Sequence, residues 1–317
     1  MLSAVREQEQ AVRFLTRVLE GSLTSPLLLL GSEGTGRRFA IRLLTRTMFC
    51  TGDKVESCTC FDCIQLLQNT HPDYTELSAG EKDIGVEAIR SLIEAAYSSP
   101  SISSHRIFLI DGADRLTAAA ANAFLKTLEE PPSRTRFFLL AESKNGVIPT
   151  IQSRCSAVYF RPLSEGYVLS KVQQFEADPT KALVYTRMGE GSVGRSIQFW
   201  GSGRLALRDK GFSLLRLSLS KDVAGLFALI DSVDKELPLL LSFLDLLLYD
   251  LLMVCIAPEK LINIDLREAL KALRVGVNDA VWQSVRVRLR EARLMYQRVK
   301  INLPFQVKSI LVDTFAV

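Results

Sequence analysis

No charge of either sign dominates this chain. Of its 317 residues, 39 are Lys or Arg and 35 are Asp or Glu, a formal net charge of +4, with the small excess in the second half. A nonspecific nucleic-acid binder would often carry a broad basic coat, and this balance gives that class no support, although a local patch remains compatible with it. No apolar leader is expected either: Met1-Leu-Ser-Ala-Val-Arg-Glu-Gln-Glu places charges where a signal peptide needs a continuous apolar core. A charge-free membrane span is also missing. The most lipid-like stretch, 237–257, holds Asp245 and Asp250 and begins beside Pro238. A carboxylate near a bilayer centre costs about 2.5–3.5 kcal/mol on insertion scales, so this stretch is expected to be a helix buried between neighbours. The chain is expected to be soluble and cytoplasmic. With 48% hydrophobic and 23% charged residues it is not a disordered polymer, and its length suggests about two domains.

Six cysteines are present and unevenly placed. Cys50, Cys58, Cys60 and Cys63 cluster, while Cys155 and Cys255 stand alone. Without a secretion signal, such a cluster suggests metal rather than disulfides. Four thiolates complete a closed tetrahedral Zn²⁺ site, which is structural and not catalytic. Cys60-x2-Cys63 is a chelating pair, Cys50 would close the site from the preceding helix, and His71 is an alternative fourth ligand to Cys58.

Hydrophobic periodicity gives the organisation. An amphipathic helix is expected over 4–20, then a buried strand, Pro26-Leu-Leu-Leu-Leu30. The turn Gly31-Ser-Glu-Gly-Thr-Gly-Arg-Arg38 follows, and a helical pattern runs on through Met48. A further apolar segment starts near Tyr74, a helix covers 83–97, and a strand at 106–110 ends in Asp111. A helix over 117–130 is stopped by Pro131-Pro132, and strands follow at 137–141 and 157–160. Alternating strands and helices predict a mostly parallel α/β sheet across 1–162. Beyond Leu163 there is no strong strand signal and no internal repeat: a short helical region reaches about Gly203, and leucine-rich helix continues to the end.

Strand, glycine-rich turn and helix is the order of a phosphate loop, G-x-x-x-x-G-K-[ST]. Gly31 and Gly36 have the required spacing and Gly34 adds flexibility, but the lysine position is Arg37 and the hydroxyl position is Arg38. A guanidinium fork does not replace a lysine point charge, and Arg38 would repel Mg²⁺ rather than ligate it. Asp111, at a strand end, matches a metal-ordering aspartate, yet Gly112 stands where many ATPases place a water-polarising glutamate. Asp114 is positioned to cap the next helix. Hydrolysis by this chain alone is not expected, and the strand–turn–helix is read as kept for folding and assembly.

Ala119-Ala-Ala-Asn122-Ala-Phe-Leu-Lys126-Thr-Leu-Glu-Glu-Pro-Pro132, with Pro149-Thr-Ile-Gln-Ser153-Arg154-Cys155 and His71-Pro72-Asp73, closely resembles the bacterial clamp-loader branch of the AAA+ family. The degenerate phosphate loop is similar to its delta-prime type rather than to the ATP-hydrolysing tau/gamma type, which is the alternative. The resemblance implies an AAA+ sheet domain (1–162, with a zinc module at about 50–72), a helical lid (163–204) and a helical collar (205–317) that holds a hetero-oligomeric ring together. It implies that ATP is not bound by this chain. It also implies that Arg154, in the Ser-Arg-Cys motif, reaches ATP on a neighbouring subunit as an arginine finger. The implied partners are tau/gamma and delta subunits, the sliding clamp of DNA polymerase III, and primed DNA through the complex. Gly194-Arg195 lies where the family carries a sensor-2 arginine, and Ala141-Glu142-Ser143 lies in the sensor-1 neighbourhood. One residue between Cys58 and Cys60, where the family has two, is a departure from its pattern. Lys126 and Glu129 read as a solvated or interface helix face. Arg286, Arg290 and Arg293 share a helix face in a run that extends to Arg298 and Lys300. That face could meet DNA phosphate or an acidic partner, although a solvated face is the commoner outcome.

Overall fold

Leu27–Leu30 form strand β1, and all four leucines are buried, as a strand covered on both faces requires. With β2 (Tyr74–Ser78), β3 (Arg106–Asp111), β4 (Thr135–Ala141) and β5 (Ser156–Tyr159) it makes one sheet in the order β2-β3-β4-β1-β5, every pair parallel. This computed structural model describes residues 2–55, 57–80, 82–201, 203–299 and 301–315. Contacts divide the chain into two compact units. One runs through Ser164 and takes in Gly191–Gly194; the other comprises Glu165–Glu190 and the chain from Arg195 onward.

In the first unit, helices α1 (Glu9–Leu19), α2 (Arg37–Phe49), α3 (Phe61–Leu67), α4 (Val86–Tyr97), α5 (Ala118–Glu129) and the single turn α6 (Pro149–Gln152) alternate with the strands. Period-two alternation splits the sheet into two cores. Leu27, Leu29, Ile107, Leu109, Phe138 and Leu140 pack with Leu15 of α1 and Ile41 and Leu44 of α2. Leu28, Leu30, Phe108, Ile110, Phe137 and Leu139 pack with Ile89 of α4 and Phe124 of α5. Phe137 stacks on Phe108 at 5.4 Å and meets Phe124 edge-on at 5.2 Å. The α5 cap is Thr117, whose Oγ1 accepts the Ala120 N–H at 3.2 Å. Asp114 does not serve as that cap: its carboxylate accepts the Glu142 N–H at 3.1 Å.

The second unit is helical: α7 (Glu165–Val172), α8 (Pro179–Met188), α9 (Val193–Gly201, from Arg195 onward), α10 (Leu205–Leu219), α11 (Val223–Ser232), α12 (Leu237–Met253), α13 (Arg267–Arg274), α14 (Asp279–Val299) and α15 (Leu303–Phe315). The leucine-rich α12 lies at its centre, with Leu240, Leu244, Leu247, Leu248 and Leu251 fully buried against Leu214 of α10, Trp282 and Val285 of α14 and Val307 of α15. Val184 and Met188 of α8 belong to the same core. No helix among the described residues is long and apolar enough to cross a membrane. Both α12 carboxylates have local partners. Asp250 is fully buried and accepts the Ile262 and Asn263 N–H groups and the Asn263 amide at 2.7–2.8 Å. Asp245 binds Arg286 at 2.8 Å and Arg290 at 2.7 Å, so two arginines of the basic face share one carboxylate within the chain and one of their two charges is compensated. The Arg298 side chain and Lys300 lie outside the described residues.

One buried carboxylate ties the first unit's β2 edge to the loop before β3. Asp73 is fully buried and accepts the N–H groups of Ser101, Ile102 and Ser103 at 2.6–2.9 Å, with Arg106 Nη2 at 3.4 Å. Burial raises its pKa, but the three amides and Arg106 outweigh it and hold the carboxyl below the ordinary aspartate range. Its stabilising contribution is therefore present above the unfolded-state value and lost as pH falls through the lower folded value. Asp73→Ala should reduce unfolding free energy by about 3 kcal/mol at neutral pH. The difference from the parent in denaturant melts should shrink toward acid pH.

Candidate functional site

The carboxyl ends of β1, β3 and β4 meet at one edge of the sheet, with Leu30 in register with Ala141 and Asp111 with Leu140. In open α/β sheets this edge is where ligands bind. The turn leaving β1 has the expected loop form: Gly31, Gly34 and Gly36 all have positive φ, and Gly36 precedes the first turn of α2. The two side chains that should meet phosphate and metal do something else. Arg37 is buried and donates from Nη1 to the Ala141 carbonyl at the end of β4. Burial lowers its pKa, against the opposing pull of Asp111, Glu142, Asp114 and Glu33. Arg38 forms an ion pair with Asp111, the metal-ordering position, and donates to Ser78 at 3.1 Å. Its Nε lies 3.1 Å from Glu76. Glu76 also takes Arg42 at 2.8 Å and the Tyr74 hydroxyl at 3.1 Å. Asp111 and Glu76 are thus satisfied by cations of their own chain. Gly194 lies over the loop: its N–H donates to the Gly34 carbonyl at 3.4 Å, and a Cβ on Gly194 would come within 2.9 Å of the Gly34 Cα. Arg195, beside it, binds Glu190 at 3.2 Å.

Arg154 follows α6 in the turn leading to β5 and is partly exposed. Nε and Nη2 both donate to Oε2 of Glu129, at 3.2 and 3.0 Å, while Nη1 reaches the Thr150 carbonyl and the Ser153 hydroxyl. Glu129 is the last residue of α5, and Lys126 on the same helix is exposed. Phosphate loop and Arg154 are separate features of this unit; no contact joins them among the described residues.

The four clustered cysteines do converge. Their sulfurs all lie within 4.8 Å of one another, with Cys50–Cys58 at 3.5 Å and Cys50–Cys60 at 3.9 Å. A tetrahedron with Zn–S bonds of about 2.3 Å has edges of about 3.8 Å, so the donor set fits a Zn²⁺ ion. The short Cys58–Cys60 spacing is accommodated because Gly52 leaves room for the Cys58 sulfur, which would lie 2.9 Å from a Cβ there. The thiols are unlike one another: the Cys63 N–H pulls Cys60 down to about 6, whereas burial pushes Cys63 up to about 12. His71 is not in the group. Its Nδ1 accepts the Asp73 N–H at 3.1 Å, and its Nε2 lies 3.3 Å from Ser103 and 3.5 Å from Asp62. It joins α3 to the Asp73 hub, a role invisible in cysteine spacing but signalled by the His-Pro-Asp triplet.

A family model described as DNA polymerase III, delta subunit, matches residues 7–164. DNA polymerase III subunit delta' of Escherichia coli K12 is 30% identical over 245 residues, spanning 75% of this chain and 73% of that protein. The chain belongs to the DNA polymerase III delta-prime family. The Haemophilus influenzae delta' subunit is 37% identical over 138 residues, 43% of this chain; the match spans less than half, 42%, of that relative. A DNA polymerase III gamma subunit-related protein of Thermotoga maritima superposes with a TM-score of 0.56 over 96% of this chain and 99% of its own, at 20% identity, which establishes a shared fold. The sheet, its helices and this neighbour place the delta-prime chain among AAA+ clamp-loader folds.

Within this delta-prime chain the cysteine cluster makes a direct prediction. Purified without chelator, the protein should contain one zinc per chain by elemental analysis, and Cys63→Ser should lose it. Stripping the metal at mildly acid pH should lower the melting temperature of the parent and leave that of Cys63→Ser unchanged.

Proposed function

We propose that this chain is the non-hydrolysing subunit of a DNA polymerase III clamp loader. In this reading it braces a ring of tau/gamma and delta subunits in the cytoplasm and presents Arg154 to ATP held by a neighbour. Those partners load the sliding clamp on primed DNA. Residues 163–204 act as the lid, 205–317 as the collar, and the cysteine cluster carries structural zinc.

The observation that carries the reading is the Arg38 guanidinium on Asp111 and Glu76. In a hydrolysing phosphate loop a divalent cation bridges the phosphates and neutralises developing charge, and a strand-end aspartate helps order it. Here that aspartate already has a covalently tethered counter-ion, and Arg38 offers no hydroxyl as a metal ligand. Arg37 is turned onto the Ala141 carbonyl, at a site where desolvation already disfavours its charge. Arg154 is partly exposed and permanently charged, and the only charge that pairs with it among the described residues is the exposed Glu129 carboxylate, so its Nε–Nη2 edge is available to a neighbour.

Two experiments test this. A fluorescent ATP analogue with Mg²⁺ should show no binding to the isolated chain up to millimolar nucleotide. Turnover by the isolated chain that vanishes in Asp111→Ala would instead establish a tau/gamma-like ATPase. In the reconstituted complex, Arg154→Ala should assemble normally yet lower clamp loading by about tenfold or more, since a trans arginine finger contributes about 10³–10⁵ at the site it serves. Unchanged ATPase and loading would remove the finger assignment.

A further inference from the structure

The Arg154 fork is already in use. Its Nε–Nη2 edge, the edge that can grip two oxygens of a phosphate or carboxylate, is spent on a single oxygen of Glu129. The remaining amino group, Nη1, is held separately by the Thr150 carbonyl at 3.2 Å and the Ser153 hydroxyl at 3.3 Å. Glu129 is not a wandering surface charge. Its helix is capped by Thr117 and anchored by buried Phe124, Thr127 and Leu128, so the backbone of its last turn is fixed although the carboxylate is exposed.

We propose that Glu129 is a positioning residue that parks Arg154 and competes with the neighbouring subunit's phosphate for it. This rests on the reading of Arg154 as a trans finger. The partition of donors supports competition rather than scaffolding. Thr150 and Ser153 hold one arm of the guanidinium whether or not Glu129 is present, while Glu129 covers the edge a phosphate would need. The pair is weak enough to open, because Glu129 is 61% exposed and its charge is screened by salt. A phosphate bearing two oxygens displaces one carboxylate oxygen from the same edge, so the finger engages only when a nucleotide-loaded neighbour is in place. Glu129 also adds a negative charge where the phosphates arrive, which raises the concentration of ATP needed to draw the finger across.

The test uses reconstituted clamp loader containing parent, Glu129→Gln, Arg154→Ala or the double variant, assayed for ATP hydrolysis without clamp or DNA. Glu129→Gln should lower the KM for ATP by about two- to fivefold, the range an exposed ion pair supports, with kcat unchanged and a weaker dependence of KM on salt. The double variant should match Arg154→Ala. A lowered kcat in Glu129→Gln would overturn the proposal and make Glu129 a scaffold for the finger. An unchanged KM in Glu129→Gln, with Arg154→Ala defective, would overturn the latch alone. Arg154→Ala indistinguishable from the parent would remove the finger, and the latch with it. Equal melting temperatures of isolated parent and Glu129→Gln chains would exclude misfolding as the cause of any change.

Discussion

A parallel sheet is stable only when both faces are covered, and everything at the functional edge follows from meeting that condition here. Runs such as Leu27–Leu30 and Phe137–Leu140 bury alternate side chains into two separate cores, and the register this imposes aligns the strand ends. Leu30, Asp111 and Ala141 therefore finish at one edge, with the first turn of α2 directly beyond. The first two residues of that turn reach the Asp111 carboxylate and the Ala141 carbonyl. In this chain they are Arg37 and Arg38.

The same side-chain type is thereby put to different ends by differences in its partners. Arg37 is sunk onto a backbone carbonyl, and Arg38 is clamped between two carboxylates of neighbouring strands. Opening the Arg37 contact would leave a buried guanidinium unpaired, which is expensive, whereas Arg38 is 45% exposed and is held by two carboxylates at once. Arg154 has an exposed partner and two auxiliary acceptors, which makes its contact a reversible one. Arg286 and Arg290 take a third course, sharing the single carboxylate of Asp245, with Arg286 half-buried and Arg290 exposed.

Much of this was legible in the sequence. Uninterrupted apolar runs bounded by turn residues marked β1, β3, β4 and β5 but not the mixed edge strand Tyr74–Ser78, Pro131-Pro132 marked the end of α5, and four closely spaced cysteines marked a cluster that could hold a metal. Arg at the lysine and hydroxyl positions of the phosphate loop showed where this chain departs from that motif. Motif strings around Asn122 and Arg154 carried the family resemblance, because they preserve residue order across elements that local propensity cannot connect.

What the sequence could not state was where each cation would find its partner. Arg38 and Asp111 are separated by 73 residues, and Asp245 and Arg290 by 45, so only strand register and helix packing decide that they meet. The cap of α5 belongs to Thr117 and not Asp114 because Asp114 is drawn to the Glu142 amide at the end of β4, a contact across the sheet edge. Likewise His71 chooses the Asp73 hub over the cysteines through packing against Phe49 and the 101–103 loop. Composition and order along the chain determined which elements and chemical groups exist; the tertiary structure decided their pairing, because charge and hydrogen-bond energies depend on distances that only folding sets.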